Sequence, residues 1–362
     1  MFDLTPVLAA ASSGIDSYLE QMHGDRQYIL GRQTTAFEDE LAQAFGGAAA
    51  VGVGSGTSAL EICLRDAGVT DPEQEVIVPS MTSLFTAQAV IAAGARLRIA
   101  DVDPRTLLLD AGRAAEAWTP RTAAVIAVHL YGQPCRLQEL ADLCCQRGAV
   151  LIQDACQAHG ARLGHQALTQ FSPYTAYSFY PTKNLGALGD GGAIVTSRPE
   201  IADRLRMLRD GGRRGDQVCR GPGVNSRLDE IHSCYLRALL PNLTAWNAKR
   251  RQLAELYRDR LRALRNLQLL DWDQDSVHHL FVVRVRDRDQ LRGALLESGV
   301  QTGVHYPVAI HQQPGLLAAS SWRTRPAEAE LAAQEVLSLP IGPHVTEGDV
   351  LRITSLLRSA CQ

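Results

Sequence analysis

Over its first two thirds the chain alternates short apolar runs with amphipathic stretches, and few folds accommodate that pattern. Residues 49–53, 75–78, 96–100, 123–129, 149–153, 176–179 and 193–196 are rich in Val, Ile and Ala, as buried strands are. Between them, residues 58–67, 137–147 and 199–208 carry apolar side chains at helical spacing, and Gly148 follows where a helix would stop. Strands that are apolar on both faces and separated by helices pair in parallel and are covered on both sides. The pattern therefore predicts an α/β fold with a mostly parallel sheet. Ligands of such folds gather at the carboxyl ends of the strands.

The character changes after about residue 225. Residues 227–240 and 243–265 read as two helices broken at Pro241. A strand over 280–285, a helix over 290–298 and a last helix near 347–359 follow. We expect a large domain over residues 1–242 and a smaller α+β domain over 243–362, since 362 residues exceed what one small core fills. The polar-aromatic stretch 302–320 is too long for a simple connector and is expected to be functional. The chain has no internal repeat and no low-complexity segment.

Charge and cysteine usage exclude several classes. A net charge of −3 gives no electrostatic case for nucleic acid or an anionic membrane. The segment Asp210-Gly-Gly-Arg213-Arg214 offers only two adjacent basic residues. The opening Met1-Phe-Asp-Leu-Thr-Pro lacks the basic start of a secretory signal, and no apolar run reaches spanning length. The eight cysteines form no C-x-x-C pair, which fits small apolar residues in a reduced cytoplasm. Neither a disulfide framework nor a metal site is expected.

Four features bear on chemistry. Lys183 stands between Tyr177-Ser-Phe-Tyr-Pro-Thr and a loop with four glycines. A lysine packed in such a loop loses its proton more easily and can attack an aldehyde, although a surface lysine beside a turn would read the same way. The loop is not a P-loop, because the G-x-x-x-x-G-K-[ST] order is absent. Asp154 follows the run 149–153, where a carboxylate can pair with a protonated ring nitrogen or simply cap a helix. Gln157 follows three residues later, near the same place. In Val53-Gly-Ser-Gly56-Thr57-Ser58 a strand passes into a helix whose free amides suit an anion, or form an ordinary cap. Together with Ser178, five residues before the lysine, these features make the arrangement that pyridoxal 5'-phosphate (PLP) needs.

The chain resembles the DegT/DnrJ/StrS family of sugar aminotransferases. The resemblance rests on Ile29-Leu-Gly31, Phe37-Glu-Asp-Glu-Leu, residues 52–60, Val76-Ile-Val-Pro-Ser80, His129-Leu-Tyr-Gly-Gln-Pro134 and Asp154-Ala-Cys-Gln-Ala-His-Gly160. It continues through residues 178–192, Asn225-Ser-Arg-Leu-Asp-Glu230, Thr302-Gly-Val-His-Tyr-Pro307 with His311, and Leu337-Ser-Leu-Pro340. It implies PLP fold type I, with a seven-stranded sheet in the large domain, and an active homodimer with shared sites. Lys183 would carry the cofactor and shuttle the proton, Asp154 would bind the pyridine nitrogen, and Gln157 would lie near the ring hydroxyl. Gly56, Thr57 and Ser178 would hold the phosphate, with Asn225 reaching it from the neighbouring subunit. Tyr180, His305, Tyr306 and His311 would meet the nucleotide-sugar.

The implied reaction moves an amino group from L-glutamate or glutamine to a nucleotide-linked keto-sugar, through pyridoxamine 5'-phosphate. The Gly-Asp-Gly-Gly ending of the lysine loop resembles the branch acting on 3-keto dTDP- or UDP-sugars, with 4-keto sugars as the alternative. Related dehydratases carry histidine in place of the lysine, so Lys183 argues against that activity. A regulatory relative that retains PLP is a further alternative. One departure supports it: the family has an aromatic residue stacked on the cofactor where this chain has Ser83. Phe85 or Met81 are the candidates to replace that ring.

Overall fold

The computed structural model describes residues 3–12 and 14–360; Met1 and Phe2, where the signal reading began, lie outside them. Seven strands form the large sheet: β1 (Ala49–Val53), β2 (Glu75–Pro79), β3 (Arg96–Ala100), β4 (Thr122–Val128), β5 (Val150–Asp154), β6 (Tyr174–Ser178) and β7 (Gly192–Thr196). Their order is β1-β7-β6-β5-β4-β2-β3. Only β7 runs against the rest, pairing antiparallel with both β1 and β6. An eighth strand that the sequence did not reveal, the two residues Ser320–Ser321, pairs parallel with β3 at the far edge.

The sheet forms where the sequence put it because its strands are apolar on both faces. Along β2 every residue from Glu75 to Pro79 is buried, and four of the five residues of β5 are. Helices cover both faces, and their starts are capped locally. Ser55 Oγ accepts from Ser58 N ahead of Gly56–Asp66, and Ser83 Oγ accepts from Phe85 N ahead of Leu84–Ala93. Each cap satisfies amides that the first helical turn leaves without partners.

Three N-terminal helices, Thr5–Ser12, Ile15–Asp25 and Arg32–Phe45, precede the sheet. The third is held by Glu230, 1% exposed, at the start of the helix Glu230–Leu239. Its carboxylate accepts from three backbone amides: Gly31 and Thr34 on Oε1, Gln33 on Oε2, each at 2.8 Å. Gly31 has to be small there, since a Cβ would stand 2.9 Å from Glu230 Cδ.

The expected helix 227–240 begins only at Glu230, because Asp229 bridges Ile29 in extended form. A single turn at Leu240–Asn242 separates it from Leu243–Leu261. A second apolar cluster gathers Leu253, Tyr257, Leu261, Phe281, Val283, Leu337, Leu339 and Ile353. Its small antiparallel sheet consists of Gln268–Leu269, Phe281–Arg284 and Val336–Leu339. The stretch 302–320 is not structureless. It makes turns at Ile310–Gln312 and Pro314–Ala319 on its way back to the edge of the large sheet.

Candidate active site

The carboxyl ends of β1, β2, β4, β5 and β6 open on one cavity of about 460 Å³. The reversed strand β7 brings its first residue to the same end, because Gly192 pairs with both Val53 and Ser178. Of the residues expected from sequence, Gly56, Thr57, Asp154, Gln157, Ser178, Tyr180, Lys183, His305 and Tyr306 line this cavity.

Asp154 is the last residue of β5 and is 5% exposed. Its Oδ2 accepts from Thr86 Oγ1 at 2.8 Å and its Oδ1 from Cys156 N at 3.1 Å. Two donors thus orient the carboxylate while leaving lone pairs open. Sequence reading missed Thr86, which lies on the helix after β2, far from Asp154 in the chain.

Lys183 sits in a loop tied at its base by Phe179 N to Gly191 O and Ala187 N to Phe179 O, both 2.7 Å. Burial pushes its amine below the ordinary lysine value, against the opposing pull of Cys156 and Asp154. A lowered amine supplies neutral nucleophile nearer to physiological pH.

The turn at Gly56 is a built cradle. The amides of Gly56 and Thr57 open the helix and have no helical acceptor, while Ser55 takes those of Ser58 and Ala59. There is no room for a side chain: a Cβ on Gly56 would stand 2.7 Å from Cys156 Sγ and 2.8 Å from Ser178 Cβ. On Gly192 it would stand 2.5 Å from the Ser55 carbonyl. The close approach of three backbones leaves the Gly56 and Thr57 amides at the cavity wall, an arrangement suited to an anion.

Gln157 is more constrained than its spacing suggested. Its Oε1 accepts from Tyr131 N at 2.6 Å, and its Nε2 donates to Tyr306 Oη at 3.0 Å. It therefore ties the 302–320 stretch to the end of β4. Tyr131 Oη also donates to His305 O. Burial raises the Tyr306 phenol to about 12 and, with Lys183, depresses the His305 imidazole to about 4.

Two expected residues lie elsewhere. His311, 5% exposed, does not line the cavity; its Nδ1 lies 2.6 Å from Ser80 Oγ and its Nε2 2.9 Å from Glu330 Oε1. These contacts fasten its stretch to the end of β2. Asn225 is exposed and lines a neighbouring pocket, which shares Ser55 and Asp190 with the cavity. At the start of the helix Leu84–Ala93, Ser83 and Phe85 both line the cavity, and Phe85 is 63% exposed. Met81 is buried in the core and does not reach the cavity.

His129 and His279, neither expected from sequence, also line the cavity. His129 Nδ1 accepts from Cys135 N at 3.1 Å, so its Nε2 donates to Gln153 Oε1 at 3.0 Å. Burial depresses it to about 4. Among the described residues no cluster of three or more His, Cys, Asp or Glu could hold a metal ion, and no helix is long and apolar enough to cross a membrane.

Comparison with known proteins places the whole chain. The chain is 40% identical over 98% of its length, and 94% of the relative's, to dTDP-3-amino-3,4,6-trideoxy-alpha-D-glucose transaminase of Streptomyces venezuelae. The crystal structure of S. venezuelae DesV in complex with a ketimine intermediate superposes with a TM-score of 0.95 at 39% identity, covering 99% of this chain and 97% of that one. NtdA from Bacillus subtilis, solved with bound cofactor PMP, gives 0.90 at 29% identity, covering 100% of this chain and 85% of that one. The architecture is that of the fold-type-I aminotransferases. The model of the DegT/DnrJ/EryC1/StrS aminotransferase family matches residues 11–358, and the chain belongs to that family.

Proposed function

We propose that this aminotransferase takes an amino group from L-glutamate, or glutamine, and delivers it to carbon 3 of a dTDP- or UDP-linked keto-6-deoxyhexose, using PLP. The observation that carries the reading is the convergence of Lys183, Asp154 and the Gly56 turn on one cavity. The residues fit the cofactor. The Gly56 and Thr57 amides, with Ser178, suit its phosphate, in a cradle too tight for any side chain. Asp154, oriented by Thr86, suits a protonated pyridine nitrogen. Bound there, PLP supplies an electron sink for proton removal at the amine-bearing carbon.

The chain's own residues do the rest. Lys183, its amine lowered by burial, would hold the cofactor and accept and return the proton at its Nζ. Asp154, oriented by Thr86 and the Cys156 amide, would hold the ring nitrogen. Gln157 and Tyr306 form a hydrogen-bonded wall, and Tyr180, 52% exposed, stands at the mouth where a nucleotide-sugar would enter. The carbon-3 assignment draws on the name of the S. venezuelae relative and on the Gly-Asp-Gly-Gly ending of the loop.

The active unit of this reading is a cytoplasmic homodimer, in which exposed Asn225 reaches the partner's phosphate site. Its division into residues 1–242 and 243–362 follows the single turn at Leu240–Asn242. Incubation with a dTDP-3-amino sugar and 2-oxoglutarate tests the activity: the sugar amine disappears as glutamate forms. No glutamate from any 3-amino nucleotide-sugar would overturn the carbon-3 reading. Mixing Lys183→Ala with Asn225→Asp chains tests the shared site. Activity should return in the heterodimers, and its absence from demonstrated heterodimers would overturn sharing.

A further inference from the structure

His279 comes to the cavity from the segment that follows the second apolar cluster's first strand, and its neighbours determine its protonation. The turn at Tyr131–Gly132 holds its backbone: Val277 N donates to Gly132 O at 2.9 Å and Leu280 N to Tyr131 O at 3.2 Å. Gly132 is obligatory at this approach, with φ 97° and a would-be Cβ 2.8 Å from His279 N. The ring is 4% exposed and faces the cavity beside Lys183 and His305.

Its Nδ1 lies 3.0 Å from Asn184 Oδ1. The orientation of Asn184 is not free. Its Nδ2 lies 3.1 Å from the backbone carbonyl of Val277 and 2.9 Å from Asn247 Oδ1. A backbone carbonyl can only accept, so Nδ2 faces Val277 and Oδ1 faces His279. Asn247 is oriented the same way, because its Nδ2 donates to the His159 carbonyl at 2.8 Å. His279 Nδ1 must therefore carry the proton, which leaves Nε2 as a bare acceptor. Burial first, then Lys183 and Arg250, keep the ring neutral by holding its pKa well below the ordinary value. No hydrogen bond among the described residues takes Nε2 and it is not among the buried unpaired atoms, so it keeps accessible surface where His279 lines the cavity.

We propose that His279 is a specificity-determining residue whose bare Nε2 accepts a hydrogen bond from a hydroxyl of the sugar ring beside the carbonyl being aminated. The inference rests on the proposed sugar substrate. A keto-sugar brings hydroxyl donors on the carbons flanking its carbonyl. With the sugar filling the cavity, an acceptor left without such a donor is costly, so substrates lacking the hydroxyl are disfavoured.

Asn184 is the positioning residue, one step along the chain from Lys183. The buried contacts that orient His279 also anchor the lysine loop.

Two measurements test the proposal. In the unliganded protein labelled with 15N-histidine, the His279 signals should show protonated Nδ1 and bare Nε2 from pH 6 to 8. An Nε2–H tautomer or an imidazolium there would overturn it. In steady-state kinetics with a dTDP-3-amino-hexose and 2-oxoglutarate, His279→Asn keeps a donor for Asn184 but removes the cavity acceptor. It should raise KM for the sugar about tenfold, the size of one hydrogen bond, with a smaller change in kcat. His279→Gln, whose carbonyl reaches the Nε2 position, should recover most of that loss. An unchanged KM in His279→Asn, or no recovery in His279→Gln, would sink the idea while wild-type activity stands. A wild type inactive on every nucleotide-sugar would instead sink the proposed substrate.

Discussion

Replacing Glu230 with Gln should destabilise the protein out of proportion to so small a change. The carboxylate, 1% exposed, receives three amides at the start of the helix Arg32–Phe45. Glutamine keeps one carbonyl oxygen, which can hold two of the three. Its NH2 then faces the third amide, donor against donor. One buried unsatisfied N–H costs about 1–3 kcal/mol, and loss of charge from the two remaining bonds adds about 1 kcal/mol. The removed charge also stood at the positive end of a helix, worth about 0.3–1 kcal/mol. The sum is about 3 kcal/mol. At about 2.1 cal/mol/K per residue the unfolding entropy of a chain this size is roughly 0.8 kcal/mol/K, so Tm should fall by about 4 °C. Urea unfolding should show an earlier midpoint with an unchanged slope. Amide exchange at Gly31, Gln33 and Thr34 should accelerate more than in the large sheet. A Tm within 1 °C of wild type, with exchange unaltered, would refute this account of how the N-terminal helices are held.

Lys183→Ala should abolish turnover while the fold persists, and borohydride should no longer fix PLP to the protein; normal turnover would remove Lys183 from the chemistry. Asp154→Asn should cut the rate by orders of magnitude with little change in Tm, and a near-wild-type rate would dismiss the ring-nitrogen role. His129 is neutral when folded and titrates at about 4, against about 6.5 unfolded, so the unfolded chain gains a proton the native one refuses. Its contribution is complete above pH 6.5 and is lost as pH falls toward 4, at up to about 1.4 kcal/mol per pH unit. His129→Asn should flatten that part of the stability profile, and an unaltered slope would contradict it. Ser83→Phe should tighten PLP binding by at most about tenfold, since an aromatic stack contributes roughly 0.5–1.5 kcal/mol. Equal affinity, with a large loss only in Phe85→Ala, would make Phe85 the substitute ring.

Most of the strands were readable because they are short runs rich in Val, Ile and Ala, and their ends shifted by no more than two residues. Residues 84–93 escaped notice for the opposite reason. LFTAQAVIAA is apolar all round, so no face stands out, and only Ser83 and Gly94 mark its ends. Ser320–Ser321 has no strand pattern of its own; it pairs because the returning chain passes the edge of β3. In the site, Lys183, Asp154 and the Gly56 turn were legible because each interrupts a regular pattern. Thr86, His129 and His279 were not, since each acts through partners distant in the chain. The sequence did not separate His311 from its motif neighbours His305 and Tyr306, which line the cavity while its own ring turns back to Ser80.

The return of residues 302–321 to the large sheet has a consequence for the order of assembly. Ile310 N donates to Ser80 O at 2.9 Å, His311 holds the Ser80 hydroxyl, and Ser320–Ser321 closes the edge beside β3. During synthesis, β1 to β7 leave the ribosome well before these residues do. Until about residue 321 emerges, the β3 edge stays open and the turn after β2 lacks its clasp. The nascent sheet is then a template for pairing with another chain, for as long as it takes to make over a hundred residues. Synthesis speed and chaperone supply should therefore govern the soluble yield of this protein more than its final stability does.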